Sequence, residues 1–561
     1  MPKKILTFLN KEFNGINEAA LLLGGFAFLS QLLGLIRDRT LAGIIGPGPV
    51  LDIYYAAFRI PDFLYISIAS LASVTVLLPF LMDRIKGDEG KVKARQFLNN
   101  IFSAYMVFMV LASLIVAILM PYIARYIAPG FSESQLHSLV VTSRIMLLSP
   151  IFIGLSNLIG SVTQLFKNFF VFSLSPIFYN LGILFGIIIL YPKFGVYGLA
   201  YGVIFGAMLH LFIQIPVVVS HGLFPKISLK INWQEILQVM KLSLPRTLAL
   251  SCNSLAFMVL IAVASTLKEG SISLFTFSFN LQSVPVGIIG ISYSVAAFPM
   301  LVKSFKMEDM DKFIGYIIGA ARQIIFWTLP VIALIVVLRA QIVRVILGTN
   351  AFSWADTRLT AAAIALFVVS LATQSLVLLF VRGYYAASQT KTPLIVNTLS
   401  SFMVIVFAFI ILGIFKYYPN TLGIVESILR VKDVSGTIML ALPLAYAIGS
   451  LLNFFLIWIL FKKDFLKKGE SMLQKTFFEV LLGAMTIGLF TYLSLNLWSK
   501  ILDINTFLGI FFQGFLSGII GIIFGVIVLY IFKNKELLDI IKVLSHKLSS
   551  KNVVVPEQGE L

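Results

Sequence analysis

Between Gly34 and Leu64 the sequence reads GLIRDRTLAGIIGPGPVLDIYYAAFRIPDFL, an apolar stretch that carries Arg37, Asp38, Arg39, Asp52, Arg59 and Asp62. A charge held at the middle of a bilayer costs from about 3 to more than 10 kcal/mol, so such residues face a polar cavity or a partner. Arginine offers a planar fork of donors that suits phosphate, and it stays charged when half-buried. The pattern points to a water-accessible cavity that handles an anion, with Arg37 and Arg59 as its ligands. Asp38 and Asp52 either hold the arginines in place or act as an ion-coupled switch. Seven residues, Thr40 to Gly46, follow the Arg37-Asp38-Arg39 cluster before Pro47; at about 1.5 Å per residue this sets Arg37 roughly 10 Å inside the helix end. Gly46, Pro47, Gly48 and Pro61 are the expected gate and hinge positions here. The alternative is that Arg37-Asp38-Arg39 is an interfacial cluster that reaches to the headgroups.

Polar residues recur at a few positions further along. Arg246 follows Pro245, with Asn253 two turns on, so both can present a polar face to a cavity; capture of Arg246 near Lys241 at the headgroups is the alternative. Asn280 and Gln282 precede Pro285, where they either hydrogen-bond a substrate or satisfy the carbonyls that the proline frees. Pro285 is a third hinge candidate. Arg144, Arg322 and Arg382 sit nearer the ends of apolar runs and read as interfacial. Cys252 is the one cysteine, and four scattered histidines form no cluster, so no metal site is evident; Asn253 and Asn397 are weak candidates for a cation.

These residues need a scaffold. Of the 561 residues 59% are hydrophobic and only 12% charged, where a soluble domain has about 25% charged. Apolar runs of bilayer length recur throughout, which predicts an all-α polytopic membrane protein of about fourteen transmembrane helices. Their expected centres are near residues 29, 68, 113, 153, 180, 207, 252, 288, 326, 370, 403, 449, 485 and 519. The first run continues into a charged helix with no cleavage site and reads as a retained span. A faint repeat pairs Pro176-x-x-x-Asn180 with Pro393-x-x-x-Asn397, and Pro61 and Pro79 with Pro285 and Pro299. It predicts two six-helix lobes, residues 1–220 and 239–465, joined by an amphipathic cytoplasmic linker at 221–238. Two additional transmembrane helices at 466–535 and a cytoplasmic tail at 536–561 follow, the tail opening on an amphipathic helix.

Of the 43 lysines and arginines, 26 fall on the side of the termini and 12 on the other. By the positive-inside rule both termini are cytoplasmic. Most of the formal charge of +18 therefore encodes topology, and nucleic acid is not an expected partner. No GxxxxGK[ST] segment is present, so hydrolysis of ATP by the chain is not expected. A membrane transferase would need acidic residues gathered in one loop, whereas Glu133, Asp356, Glu426 and Asp433 are dispersed. A scaffold without transport would not need arginines inside its spans. Arginine outnumbers aspartate in the spans, which favours an anionic cargo over a cationic drug.

The Gly34–Leu64 stretch resembles the start of the MurJ (MviN) family, lipid II flippases of the multidrug/oligosaccharidyl-lipid/polysaccharide exporter superfamily. The matching residues are Gly34, Arg37, Asp38, Gly46, Asp52, Arg59 and Pro61, followed by NFFVFSLSP from Asn168, LQSVPVGIIG from Leu281 and RGYYAASQTKTP from Arg382. The resemblance implies a V-shaped bundle whose arginine-lined cavity takes the diphosphate and sugar-peptide head, while a groove on the last two helices takes the polyprenyl tail. Arg37, Asp38, Asp52 and Arg59 become cavity and lateral-gate residues. It also implies a transporter rather than an enzyme, without a cofactor, coupled to Na+ or to membrane potential, monomeric, in the bacterial cytoplasmic membrane beside enzymes of cell-wall precursor synthesis. Other lipid-linked oligosaccharides and small-molecule antiport are the alternatives within the superfamily. The sequence departs from the family at Gln31, Tyr65 and Asn280, where arginine is common, and around Ser70, where an acid is; Arg246 is a candidate to compensate.

Overall fold

The computed structural model describes residues 16–68, 74–86, 89–228, 231–466, 470–503 and 505–549. The Ser70 position lies outside them, as do the side chains of Pro245 and Arg246. Eleven helices of the described residues are long and apolar enough to cross a membrane, and the bent pair Trp354–Val368 and Leu371–Ala386 makes a twelfth. The two expected spans outside this set are the two that carry the charges. The first is α1, Ile16–Ile44, a helix of 29 residues. The second is described as α2, Pro49–Ala57, α3, Arg59–Ile68, and α4, Val74–Arg84.

The chain forms two compact units. The first comprises Met1–Val284, Ile346–Phe367 and Gln389–Asn453; the second comprises Pro285–Val345, Val368–Ser388 and Phe454–Leu561. In the first unit α5, Gly90–Ile127, α6, Glu133–Met146, α7, Leu148–Leu165, and α8, Phe169–Phe185, follow α4. A π-helical turn at Gly186–Leu190 leads through a short helix, α9, Tyr191–Phe194, to α10, Val196–Phe212. A Cβ on Gly182 would lie 2.2 Å from Gly206 Cα, and one on Gly202 would lie 2.4 Å from Gly186 Cα. Small residues four apart let the two backbones touch, which is how helices pack when lipid removes the hydrophobic drive between them. Gly202→Val is therefore expected to destabilise the unit by about 1–3 kcal/mol, the usual cost of overpacking, read as a lowered melting temperature. An unchanged melt would show that the backbones can part without loss.

The first unit continues with α11, Ile215–Ser220, and α12, Trp233–Ser265. Of the amphipathic linker expected at 221–238, the part from Trp233 onward is not separate but forms the first turns of α12, started by Asn232, whose side chain accepts from the Gln234 and Glu235 N–H groups. Next comes α13, Ser271–Pro285. Phe275 and Phe279 of α13 meet Phe367 at 5.5 and 5.8 Å, and Phe279 meets Tyr446 at 5.5 Å, an aromatic cage that fixes the helix bearing Asn280.

The second unit begins at Pro285, immediately before a π-helical turn at Val286–Ile291 and α14, Ser292–Lys306. It includes most of α15, Met310–Leu347, and the hairpin of α16, Glu470–Trp498, with α17, Phe507–Ile531. The tail helix expected from Glu536 is present as α18, Lys535–Ser549. Arg322 of α15, read as interfacial, is instead in an ion pair with Glu536 at 2.6 Å, with side-chain exposures of 14% and 4%, and donates through Nε to Thr476 Oγ1 at 3.0 Å. Removing one member of a buried pair costs about 3–5 kcal/mol. Arg322→Ala is expected to release α18, read as faster proteolysis within 535–549, and Arg322→Met with Glu536→Gln to restore protection. Slow cleavage in the single variant would mean that α18 is held by its apolar face alone.

Candidate functional site

The first unit brings the sequence-predicted charges together, though in pairings that the sequence does not announce. Arg37 lies in the last third of α1 with its side chain 25% exposed, and Asp38 beside it is buried. The guanidinium clasps one carboxylate oxygen, Nε at 3.0 Å and Nη2 at 2.8 Å from Asp38 Oδ1. Its remaining arm, Nη1, donates to Asn180 Oδ1 at 3.4 Å, and Asn180 in turn donates to the Pro176 carbonyl at 3.0 Å. The other oxygen of Asp38 accepts from Asn280 Nδ2 at 2.9 Å. A continuous polar chain thus runs from α8 through α1 to α13, closed by charge-assisted bonds that are stronger than neutral ones. Asn280, expected at the substrate, is bonded to Asp38. Gln282, two residues on, is buried, and its Oε1 has no partner among the described residues.

Arg59 opens α3. Its Nε donates to the Tyr55 carbonyl at 3.0 Å, and its guanidinium lies 4.9 Å over the Phe257 ring. No hydrogen bond occupies its Nη nitrogens among the described residues. Tyr55 stands within electrostatic reach of Arg37, Asp38 and Arg59, and Asp62 within reach of Arg59, Tyr54 and Tyr179. Two arginines and two aspartates therefore share this region, a balanced set rather than a purely cationic lining. Tyr65, at one of the positions where the family often has arginine, accepts from Asn157 Nδ2 at 2.6 Å. Asn180, Tyr55 and Asp62 had no site role in the sequence reading. The signals were there: Asn180 as a repeat marker after Pro176, and Asp62 as an uncompensated acid in an apolar run.

Asp52 does not join the arginines. It is buried in α2 and accepts from the Gly270 N–H at 2.7 Å, from the Ser273 N–H at 2.8 Å and from the Ser273 hydroxyl. The first N–H groups of a helix lack intrahelical partners, so Asp52 caps α13 from another helix, where negative charge is also favoured by the helix dipole. Both of its oxygens are occupied, which makes it a latch in this structure rather than a ligand. The breaker packs on the same turn: Gly270, at φ +88°, sets its Cβ position 3.4 Å from Pro47 Cβ and 3.5 Å from Gly48 N. Gly46 has φ +75°, and a Cβ there would lie 2.5 Å from the Ala351 carbonyl oxygen; only glycine meets both demands. Pro61 is buried in α3, and Pro285 closes α13. Arg39 donates to the Ile346 carbonyl at 3.2 Å.

The remaining candidates lie apart. Asn397 accepts from Asn453 Nδ2 at 3.1 Å, and Asn253 is exposed. Among the described residues no group of three or more His, Cys, Asp or Glu could hold a metal ion. The acids weighed for a transferase are each engaged locally: Glu133 with Arg125, Asp356 with Ser353, Glu426 with Thr437, and Asp433 with Arg358.

A family model described as lipid II flippase MurJ matches residues 41–513. The chain is 25% identical over 493 residues to a probable lipid II flippase MurJ of Buchnera aphidicola subsp. Baizongia pistaciae (strain Bp), covering 87% of this chain and 90% of that one. It is 24% identical over 401 residues to a lipid II flippase MurJ of Burkholderia cenocepacia, covering 69% and 78%. Among solved structures it is similar to a lipid II flippase MurJ in an inward closed conformation, with a TM-score of 0.71 at 22% identity, covering 93% of this chain and 100% of that chain. It is also similar to an inward-facing multidrug resistance MATE family transporter of the MOP superfamily, TM-score 0.61 at 17% identity, covering 80% and 96%. At these identities the two structures show a shared fold. The family match takes in the Asp52 latch, Arg59, Asn280 and eleven of the twelve spans counted above or their greater part, and the chain belongs to the lipid II flippase MurJ family.

Proposed function

We propose that this chain carries a polyprenyl-diphosphate-linked peptidoglycan precursor, lipid II, from the inner to the outer leaflet of the bacterial cytoplasmic membrane by alternating access. The observation that carries the reading beyond family membership is the cluster of Arg37, Asp38, Asn180, Asn280 and Arg59. An arginine whose Nη nitrogens have no protein partner among the described residues is suited to receive a phosphate oxygen first. Arg37 then follows by trading Asp38 for the second phosphate, with Asn280 keeping Asp38 satisfied. Two arginines against two aspartates leave the empty site balanced, so it can reset once the anion has left.

With both termini cytoplasmic, the Asp52 latch would join the first and fourth connections on the outer side and would serve as the outer gate's latch. The six-helix lobes 1–220 and 239–465 would carry the motion, the Gly46–Pro49 breaker and Pro285 would serve as hinges, and membrane potential or a Na+ gradient would drive the return. The test is binding by the purified protein of lipid II beside an undecaprenyl diphosphate without sugars and an unrelated anionic lipid. Selective retention of lipid II is expected. Equal retention of all three would move the cargo to another anionic lipid.

A further inference from the structure

We propose that the cavity where α4, α5 and the chain leading into α12 meet binds a phosphate-bearing head group, at a site separate from the Arg37 cluster. The cavity measures about 460 Å³, within the usual range for small-ligand sites. Arg84 at the end of α4, Lys93, Gln96 and Asn99 on the first turns of α5, and Ser228 and Glu235 line it.

The wall is built rather than incidental. Arg84 donates through Nη2 to Glu235 Oε1 at 3.1 Å and through Nη1 to the Phe80 carbonyl at 3.2 Å, and its guanidinium lies 4.3 Å over the Phe97 ring. Asn100, which is 5% exposed, donates to Glu235 Oε2 at 2.9 Å and accepts from the Asn232 N–H at 2.8 Å. Asn99 and Ser103 accept from the N–H groups of Lys226 and Ser228, each at 2.7 Å. The chain before α12 is thereby laced to α5.

What this lacing leaves over decides the ligand. Glu235 is the one carboxylate among the lining residues, and both of its oxygens are taken. Arg84 carries five N–H donors and, among the described residues, uses two. Asn99 uses its carbonyl oxygen toward Lys226, which leaves its amide nitrogen. Among the described residues Lys93 is paired with Glu89 at 3.3 Å, both side chains more than half exposed, and such surface pairs hold little. A fixed guanidinium, an ammonium and amide donors around one space suit a group rich in acceptor oxygens, and phosphate is the common one. The inference does not depend on the cargo proposed above; only the leaflet does, because in that orientation the cavity opens at the cytoplasmic headgroup level, where basic segments meet anionic lipid.

The experiment is native mass spectrometry of the full chain with phosphatidylglycerol, and with diacylglycerol as its phosphate-free control. It compares the wild type with the double variant Lys93→Glu, Gln96→Glu, which leaves the Arg84–Glu235–Asn100 lacing intact. Retention of phosphatidylglycerol over diacylglycerol is expected, about tenfold weaker in the double variant, as for loss of one charged contact. Arg37→Met with Asp38→Asn, which removes the charges of the other site without leaving a buried unpaired carboxylate, is expected to leave this binding unchanged, so failure of the transport reading and failure of this one are told apart. Glycerol 3-phosphate titrated alone identifies the source. Binding that is lost in the double variant assigns a soluble phosphate ester; no binding, with phosphatidylglycerol retained, assigns the lipid. Equal retention of diacylglycerol, or a double variant that binds like the wild type, overturns the proposal.

Discussion

Arg37→Ala is expected to lower lipid II binding by about a hundredfold or more and to destabilise the first unit at the same time. The variant leaves Asp38 buried with Asn280 as its one remaining partner among the described residues, and breaking a buried pair costs about 3–5 kcal/mol, roughly two to four decades in an equilibrium constant. Because a loss of binding can follow from loss of structure, the second variant matters more. Arg37→Met with Asp38→Asn removes both charges, keeps an amide beside Asn280 and is expected to recover most of the melting temperature. It should not recover binding, since no fork of donors remains for phosphate. Arg37→Lys is expected to fall between, about tenfold weaker than wild type, as a point charge replaces the fork. If the double variant bound lipid II like the wild type, Arg37 would be a structural charge and Arg59 alone would carry the anion.

Asp52→Ala is expected to open the latch. In the wild type the Gly270 and Ser273 N–H groups belong to the first turn of a helix, where no intrahelical acceptor serves them, and Asp52 is their partner. Hydrogen bonds to a charged group contribute about 1.5–3 kcal/mol each without adding fully. A loss of about 3 kcal/mol is therefore the working figure, and amide exchange at Gly270 and Ser273 should quicken by about a hundredfold. Asp52→Asn keeps one acceptor oxygen and should lose about half of that in free energy. Ser273→Ala removes only the hydroxyl contact, for about 1 kcal/mol. Hydrogen exchange by mass spectrometry on peptides covering 267–276 reads all three. Unchanged exchange in Asp52→Ala would show that the turn at Gly270 is held by Pro47 and Gly48 packing instead.

The two variants act on neighbouring parts of one segment yet separate two functions. Arg37 and Asp38 hold the anion site, while Asp52 and the Gly46–Pro49 breaker hold α13 at its start. In the proposed cycle the latch must release for cargo to leave. Asp52→Ala is thus expected to retain lipid II binding in the melt-corrected assay even where transport fails.

Residue types and their spacing determined much of this protein. Apolar runs of bilayer length and the helix breakers gave the spans, because hydropathy and proline act over a few neighbouring residues. Charges in an apolar run marked the site, because burying them unpaired is too costly to occur without a use. The motif from Gly34 to Pro61 gave the family. The tertiary structure alone decided the partners. Arg37 meets Asn180, 143 residues away; Asn280 meets Asp38, 242 away; and Asp52 meets Gly270, 218 away. It also turned Arg322 from an interfacial charge into one half of a buried pair with Glu536, and it extended α12 back through the segment expected to lie on the surface. Local pattern fixes which residues need a partner, but close approach of Gly182 to Gly206 and the aromatic cage around Phe279 fix which helices touch, and only then is each partner chosen.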